Sequence, residues 1–251
     1  MKKYNNLIYK LYEKGNEYYF NEFKNYNEDF DFWEKVIKKY KPNNILEVGT
    51  GNGRLCKLIL DNAKNYDIID FSTEICEKVK TNFPYISNIF CEDFKLFNNR
   101  KKYDLIIFPF NVINNFYSIN DIEKMFSTIK NISNTNTVII FDTFNPNGYD
   151  LIDSKDYEYS RNFELNDKII KVYEKKEFDI INSICIYKKR YLIDDNIVYS
   201  SILPNRVFFH QELKLILKFY GYDIINLYGD YDFSVFNYKS RKQLYILRRK
   251  K

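Results

Sequence analysis

The fold class this sequence predicts is α/β: a parallel sheet with helices on both faces, carrying an inserted antiparallel β meander. Two observations lead there. Between residues 44 and 143, short apolar runs alternate with helical segments, and the runs are apolar at successive positions, as in strands covered on both sides. Residues 157–209 then break that rhythm with long alternating runs that suit antiparallel strands.

Taken in order, residues 1–42 read as helical and polar-aromatic, with Phe30, Trp33, Ile37 and Tyr40 at helical spacing and Pro42 following. NILEV (44–48), YDIID (66–70), SNIFC (87–91), YDLIIF (103–108) and TVIIFD (137–142) read as strands. Leu55, Leu58 and Ile59 mark one intervening helix, Ile75 and Val79 a second, and Ile122, Met125, Phe126, Ile129 and Ile132 a third. KIIKVYEKKEFD, INSICIYKKRYLID and NIVYSSILPNRVFF form the meander, with Asp194-Asp195-Asn196 as a turn. A helix with Leu213, Ile216, Leu217 and Tyr220 on one face follows, ended by Gly221. Strands at 222–228 and 242–249 complete the pattern, and Arg248, Arg249, Lys250 and Lys251 form a basic, solvated run. The expected domains are an N-terminal helical lid (1–42), a core (43–156 and 210–251) and an inserted β subdomain (157–209).

The 251 residues carry 39 Lys+Arg against 34 Asp+Glu, and 45% are hydrophobic, which excludes a disordered chain. Abundant Tyr and Phe beside a single alanine, Ala63, point to AT-rich codon usage, so the net +5 is a weak footprint for nucleic acid. Cys56, Cys76, Cys91 and Cys185 form no CxxC pair, so reduced, mostly buried thiols are expected rather than a zinc site or disulfides. The N-terminal stretch has no signal-peptide character, and no apolar run approaches the roughly 18 residues of a membrane span. A cytoplasmic protein is expected.

Three of the seven glycines, Gly49, Gly51 and Gly53, lie in ILEVGTGNGRL (45–55), between a strand and a helix. Such a turn lets the backbone approach a ligand at the carboxyl end of the sheet. Arg54 stands where a dinucleotide fingerprint often has its third glycine, which weakens a nicotinamide oxidoreductase reading. Glu47 would repel a pyrophosphate but suits a ligand with ammonium and sulfonium charge. Asp70 ends the second strand, placed to accept bonds from ribose hydroxyls, with Phe71 available to a purine ring. Asp93 and Phe94, in CEDF (91–94), end the third strand and suit an adenine. Groups for amino acid, ribose and base thus occur in that order.

With these motifs the sequence resembles the class I S-adenosylmethionine-dependent methyltransferases over nearly its whole length. ILEVGTGNGRL is similar to their glycine motif, IIDFSTEI to their ribose segment, CEDF to their adenine position, and YDLIIFPFNVINNF (103–116) to the strand ending beside the methyl donor. TVIIFDTFNPN (137–147) and residues 208–232 resemble a bacterial subgroup similar to amino-sugar N,N-dimethyltransferases. The resemblance implies a Rossmann-like seven-stranded sheet, six strands parallel and the last antiparallel, with S-adenosylmethionine as cofactor. It places the cofactor at Glu47, Gly49, Thr50, Gly51, Gly53, Asp70, Phe71, Asp93, Phe94 and Phe108, with Tyr12 and Tyr18 of the N-terminal helices at the methionine end. A small-molecule acceptor is expected above 108–115, with Asn111, Asn115 and Asn145 as its contacts, bounded by the N-terminal helices, the 142–145 loop and the meander.

The sequence also departs from the resembling enzymes. The amino-sugar enzymes tend to carry His or Tyr after the fourth strand, where this chain has Asn111, Asn114 and Asn115. No D/N-P-P-Y/F tetrapeptide is present, and the fourth strand lacks the Asp of metal-dependent relatives, so no metal is expected. His210, the only histidine, reads either as a general base or as a residue at a helix start. Direct methyl transfer to a small molecule is the expected activity. A nucleic-acid methyltransferase and a non-catalytic cofactor-binding module are the alternatives. No membrane partner is expected, and the meander offers a route to a homodimer.

Overall fold

The computed structural model describes residues 2–14 and 16–250; Met1, Gly15 and Lys251, which fall in the expected helical lid and basic run, lie outside the described residues. The elements in chain order are α1 (Lys2–Lys14), α2 (Asn16–Glu22), α3 (Phe30–Tyr40), β1 (Asn44–Val48), α4 (Cys56–Asn62), β2 (Asn65–Asp70), α5 (Thr73–Asn82), β3 (Asn88–Cys91) and β4 (Leu105–Phe108). There follow α6 (Ile119–Ile132), β5 (Val138–Phe144), β6 (Glu158–Leu165), β7 (Lys168–Asp179), β8 (Ile184–Ile193), β9 (Asn196–Arg206), α7 (His210–Phe219), β10 (Tyr222–Tyr228) and β11 (Lys242–Arg249). The chain divides into two compact units. One takes the residues up to Tyr26 together with Pro146–Val207, and the other takes Asn27–Asn145 together with Phe208 onward.

The second unit, the core unit, is a seven-stranded sheet in the order β10-β11-β5-β4-β1-β2-β3. β3, β2, β1, β4 and β5 run parallel, and β11 lies antiparallel between β5 and β10. β1, β4 and β5 are apolar at consecutive positions because both faces are covered. On one face Leu46, Ile106, Phe108, Ile139 and Phe141 join Ile122, Met125, Phe126 and Ile129 of α6 and Leu213 and Leu217 of α7 in one apolar cluster. Local chemistry sets the helix ends. Ser72 accepts the Ile75 amide at the start of α5, Ser118 and Asp121 form a reciprocal capping box for α6, and Gly221 (φ +77°) terminates α7.

Helix α3 belongs with this core, whereas the sequence was divided after residue 42. The reason is a buried ion pair. The indole of Trp33 donates to Asp29 (2.9 Å), and the Arg54 guanidinium, next to the glycine turn, donates to both oxygens of the same carboxylate, one at 2.7 Å.

The other unit is a four-stranded antiparallel sheet in the order β6-β7-β8-β9, with α1 and α2 packed on it. Asn166-Asp167 and Asp194-Asp195 occupy left-handed backbone in its two-residue hairpin turns, which matches strand twist. Tyr18 stacks on Tyr199 (5.2 Å), and Glu22 accepts from Lys189 (2.7 Å) and Tyr191 (2.9 Å). The sequence pattern showed three long runs here and missed β6. That strand lies at the sheet edge, and its side chains are all half-buried or exposed, so it carries no clear apolar alternation.

Because Asp29 is fully buried and Arg54 nearly so, Asp29→Ala strands a buried cation. We expect a loss of about 3 kcal/mol in urea unfolding. A loss below about 1 kcal/mol, the range of an exposed pair, would contradict this assignment.

Candidate active site

The site is built where β1 and β2 end. Leaving β1, the chain turns through Gly49 (φ +71°), Gly51 and Gly53 (φ +76°). A Cβ at Gly49 would sit 2.7 Å from Val112, just beyond β4, and one at Gly53 would sit 2.8 Å from Phe83. Glycine at these positions therefore serves both the left-handed backbone and the close approach of neighbouring segments. Asp70, at the tip of β2, accepts the Gly51 amide on one oxygen (3.2 Å) and the Ser72 amide on the other (3.0 Å). The glycine motif and the ribose motif are thus brought together by one carboxylate. Phe71 beside it is half-buried.

Glu47 lies two residues before the turn, in β1. Its carboxylate is fully buried and accepts the Tyr66 hydroxyl on one oxygen. Thr50, also buried, lies 3.7 Å from the Cys56 sulfur in the same layer. Phe94 and Phe108 are buried neighbours. They meet edge to face at 5.2 Å inside the core, with Phe97 and Phe116 around them. Asp93 caps a short turn by accepting the Lys95 amide (2.9 Å), with part of its carboxylate exposed. Three of the four cysteines, Cys56, Cys76 and Cys185, are buried as expected, and Cys91 is exposed.

Charge distinguishes the site from the rest of the core. Among the described residues of the core unit, Asp29, Glu47, Asp67, Asp70, Asp121 and Asp142 are buried acids. Four of them sit in ion pairs: Asp29 with Arg54, Asp67 with Lys101 (2.7 Å), Asp121 with Lys95 (3.2 Å) and Asp142 with Lys242 (3.0 Å). Glu47 and Asp70 have no such partner, and both flank the glycine turn. Burial pushes Glu47 up to about 7, against the opposing Tyr66 bond and the nearby Arg54. Burial pushes Asp70 up to about 6, against the opposing amides of Ser72, Gly51 and Phe71.

At the end of β4, Phe110 and Asn111 both adopt left-handed backbone (φ 59° and 64°). The Asn111 amide reaches Asp142 (3.3 Å), whose carboxylate also holds Lys242. Buried Asn114 donates to Thr143 (2.9 Å), Asn115 accepts from Tyr117 (3.3 Å), and the Asn145 side chain donates to the Ser240 carbonyl (2.9 Å). Tyr12 and Tyr18 belong to the other unit, where Tyr12 packs on Tyr19 and Phe20 and Tyr18 on Tyr191 and Tyr199. The ion-pair roles of Arg54, Asp142 and Lys242 were not visible in the sequence. The partners of these ion pairs are far apart along the chain, and no periodicity marks them.

The profile of the methyltransferase-domain family matches residues 24–181. The chain belongs to that family. Its fold is that of the class I S-adenosylmethionine-dependent methyltransferases, shared with three solved structures. One is an S-adenosylmethionine-dependent methyltransferase from Clostridium acetobutylicum: 18% identity over 90% of this chain and 93% of that one, TM-score 0.75. A second is the CcbJ methyltransferase of Streptomyces caelestis, at 15% over 99% and 98%, TM-score 0.76. The third is an amino pentose methyltransferase from Micromonospora echinaspora bound to S-adenosylmethionine, at 12% over 90% and 93%, TM-score 0.72. A comparison with curated proteins returns no match. No helix among the described residues of this methyltransferase is long and apolar enough to cross a membrane.

His210 opens α7 and is oriented by a chain of bonds. Gln243 donates to the Phe208 carbonyl (2.7 Å), which leaves its oxygen to accept the Tyr245 hydroxyl proton (3.0 Å). The Tyr245 oxygen therefore accepts from Nδ1–H of His210 (2.8 Å), and Nε2 keeps its lone pair. Partial burial and Lys214 lower the pKa of the ring, so it is neutral at pH 7. As His210 is the only histidine, nitrogen NMR reads it alone. We expect the Nδ1–H tautomer in the wild type and its loss of dominance in Tyr245→Phe. An Nε2–H form in the wild type would refute the chain of bonds.

A second expectation concerns pH. Glu47 has a native pKa above its unfolded value, so the native state binds the extra proton, and stability falls as pH rises from about 4.5 to about 7. Glu47→Gln keeps an acceptor for Tyr66 without the charge. It should stabilise the ligand-free protein by about 1–3 kcal/mol at pH 8 and by little below pH ~4.5. Equal or lower stability at pH 8 would contradict the buried, unpaired carboxylate.

Proposed function

We propose that the core unit binds S-adenosylmethionine at the ends of β1, β2 and β3 and passes its methyl group to a small organic acceptor in the cytoplasm. The observation that carries this reading is the pair of buried acids, Glu47 and Asp70, left without a cation beside a glycine turn. Such a site suits a ligand that brings positive charge together with a ribose diol.

When bound, the cofactor supplies a methyl group already activated by its sulfonium, so the protein's work is alignment and exclusion of water. Asp70 accepts ribose hydroxyls while the Gly51 amide steadies its carboxylate. The 49–53 turn, Thr50 included, brings backbone close to the ligand. Phe71 offers a ring beside the base, and the exposed part of the Asp93 carboxylate accepts from the adenine amino group. Glu47 contributes negative charge from beneath the turn. Asn111, Asn115 and Asn145, beyond β4 and β5, contact the acceptor. For an acceptor that arrives protonated, His210 Nε2 takes the proton.

The small-molecule class is supported by the neighbour that methylates an amino pentose. Self-association through the four-stranded sheet belongs to the same proposal, and sedimentation would read it.

Calorimetry with S-adenosylhomocysteine tests the central reading. Wild-type protein should bind it and not NAD. Asp70→Ala should bind about ten-fold or more weakly, as loss of a hydrogen-bonded carboxylate implies. Absence of binding to the wild type, or preference for NAD, would defeat the proposal.

A further inference from the structure

Two cysteines flank Asp70 and take no part in the chemistry above. Cys76 lies in α5, its sulfur donates to the Asp70 carbonyl (3.5 Å), and the neighbouring Cys91 raises its pKa further above what burial does. Cys91 ends β3, directly opposite Asp70 in the β2–β3 register, and is exposed. The remaining cysteines are placed otherwise. Cys56 is buried between Thr50 and Tyr66, and Cys185 is buried in the other unit. Among the described residues, Cys76 and Cys91 are the two cysteines that flank one residue, Asp70, and Cys91 is exposed.

We propose that Cys91 and Cys76 form an oxidative modification site, taking low-molecular-weight disulfides as reactant, whose closure into an intramolecular disulfide weakens cofactor binding. This rests on Asp70 being the ribose ligand. The Cys91 thiolate attacks one sulfur of the small disulfide, forming a mixed disulfide and releasing one thiolate. Cys76 then loses its proton to solvent and attacks the Cys91 sulfur, releasing the second thiolate. The protein loses two hydrogens, and one small disulfide becomes two thiols. Burial and the adjacent Cys91 push the Cys76 thiol up, which makes it the resolving sulfur and Cys91 the entry point.

Geometry links the bridge to the cofactor. Cys76 Sγ reaches the Asp70 carbonyl and Cys91 pairs with Asp70 across the β2–β3 register, so the two cysteines flank one residue and closure would bring their sulfurs to about 2.05 Å. It also removes the S–H donor from the Asp70 carbonyl and ties the end of β3 to α5. Both changes act on the backbone that aims the Asp70 carboxylate.

The test uses the full chain, reduced or treated with oxidised glutathione. Peptide mapping should show a Cys76–Cys91 link, and S-adenosylhomocysteine should bind the bridged protein about ten-fold more weakly than the reduced protein. Reductant should restore the affinity. Cys91→Ser should bind like the reduced wild type and be indifferent to oxidised glutathione. Two outcomes would overturn the proposal: a mixed disulfide that remains on Cys91 without linking to Cys76, or a bridged protein with undiminished affinity. Failure of the reduced wild type to bind would instead count against the cofactor reading. Peptide mapping reads bridge formation independently, so the two failures are distinguishable.

Discussion

The bond from the Gly51 amide to the Asp70 carboxylate joins the ends of two neighbouring strands, and the candidate site is arranged around it. Beside it, the Gly49 amide donates to the Ile69 carbonyl of β2 (2.8 Å), so the turn is fixed at two points. The turn is thereby held against β2, and its backbone follows a path that only residues without a side chain can take beside Val112 and Phe83. The second oxygen of Asp70 holds the Ser72 amide, and Ser72 in turn caps α5. A single carboxylate thus couples the turn, the end of β2 and the start of a helix.

That arrangement leaves charge buried at a cost the rest of the core avoids. Elsewhere in the core unit each buried acid has a lysine or arginine against it, which offsets its desolvation. At the glycine turn the compensation is only partial: amides and a tyrosine hydroxyl, with Arg54 nearby but committed to Asp29. A site that is under-compensated when empty gains most from a ligand that carries positive charge. Stability of the free protein and affinity for such a ligand are therefore opposed at Glu47 and Asp70.

Much of the core was legible because strand–helix alternation and the glycine spacing are local patterns. β1, β2, β3, β4 and β5, the α7 stop at Gly221 and the turn at Asp194-Asp195 all follow from residues close in sequence. The side of a strand end to which a polar group turns is not local. Glu47 precedes Gly49 by two positions, yet it faces down onto Tyr66, a residue of the adjacent strand, because β1 and β2 pair in register and Tyr66 reaches across. Phe94 and Phe108 are a similar case. Aromatic residues at strand ends look available to a ligand, but the core beneath is deep enough to take both rings. The grouping of α3 with the core was invisible for the same kind of reason, since Asp29 and Arg54 lie on separate elements.

The end of β4 shows how these long-range ion pairs serve the rim of the site. Two consecutive non-glycine residues, Phe110 and Asn111, hold left-handed backbone at a cost of about 1–3 kcal/mol each. Such a conformation persists only if the surroundings over-determine it. They do so from both sides: the Arg54 guanidinium lies over the Phe110 ring (5.3 Å), and Asp142 takes the Asn111 amide while Lys242 fixes Asp142. Arg54 is positioned by Asp29 before α3, and Lys242 by β11, the one antiparallel strand of the sheet. The antiparallel strand and the helix before the first strand, remote in sequence from the glycine motif, therefore act together on the backbone where β4 gives way to the asparagines expected at the acceptor. Their contribution is to hold a strained turn in one conformation, so that this segment is ordered before any ligand arrives.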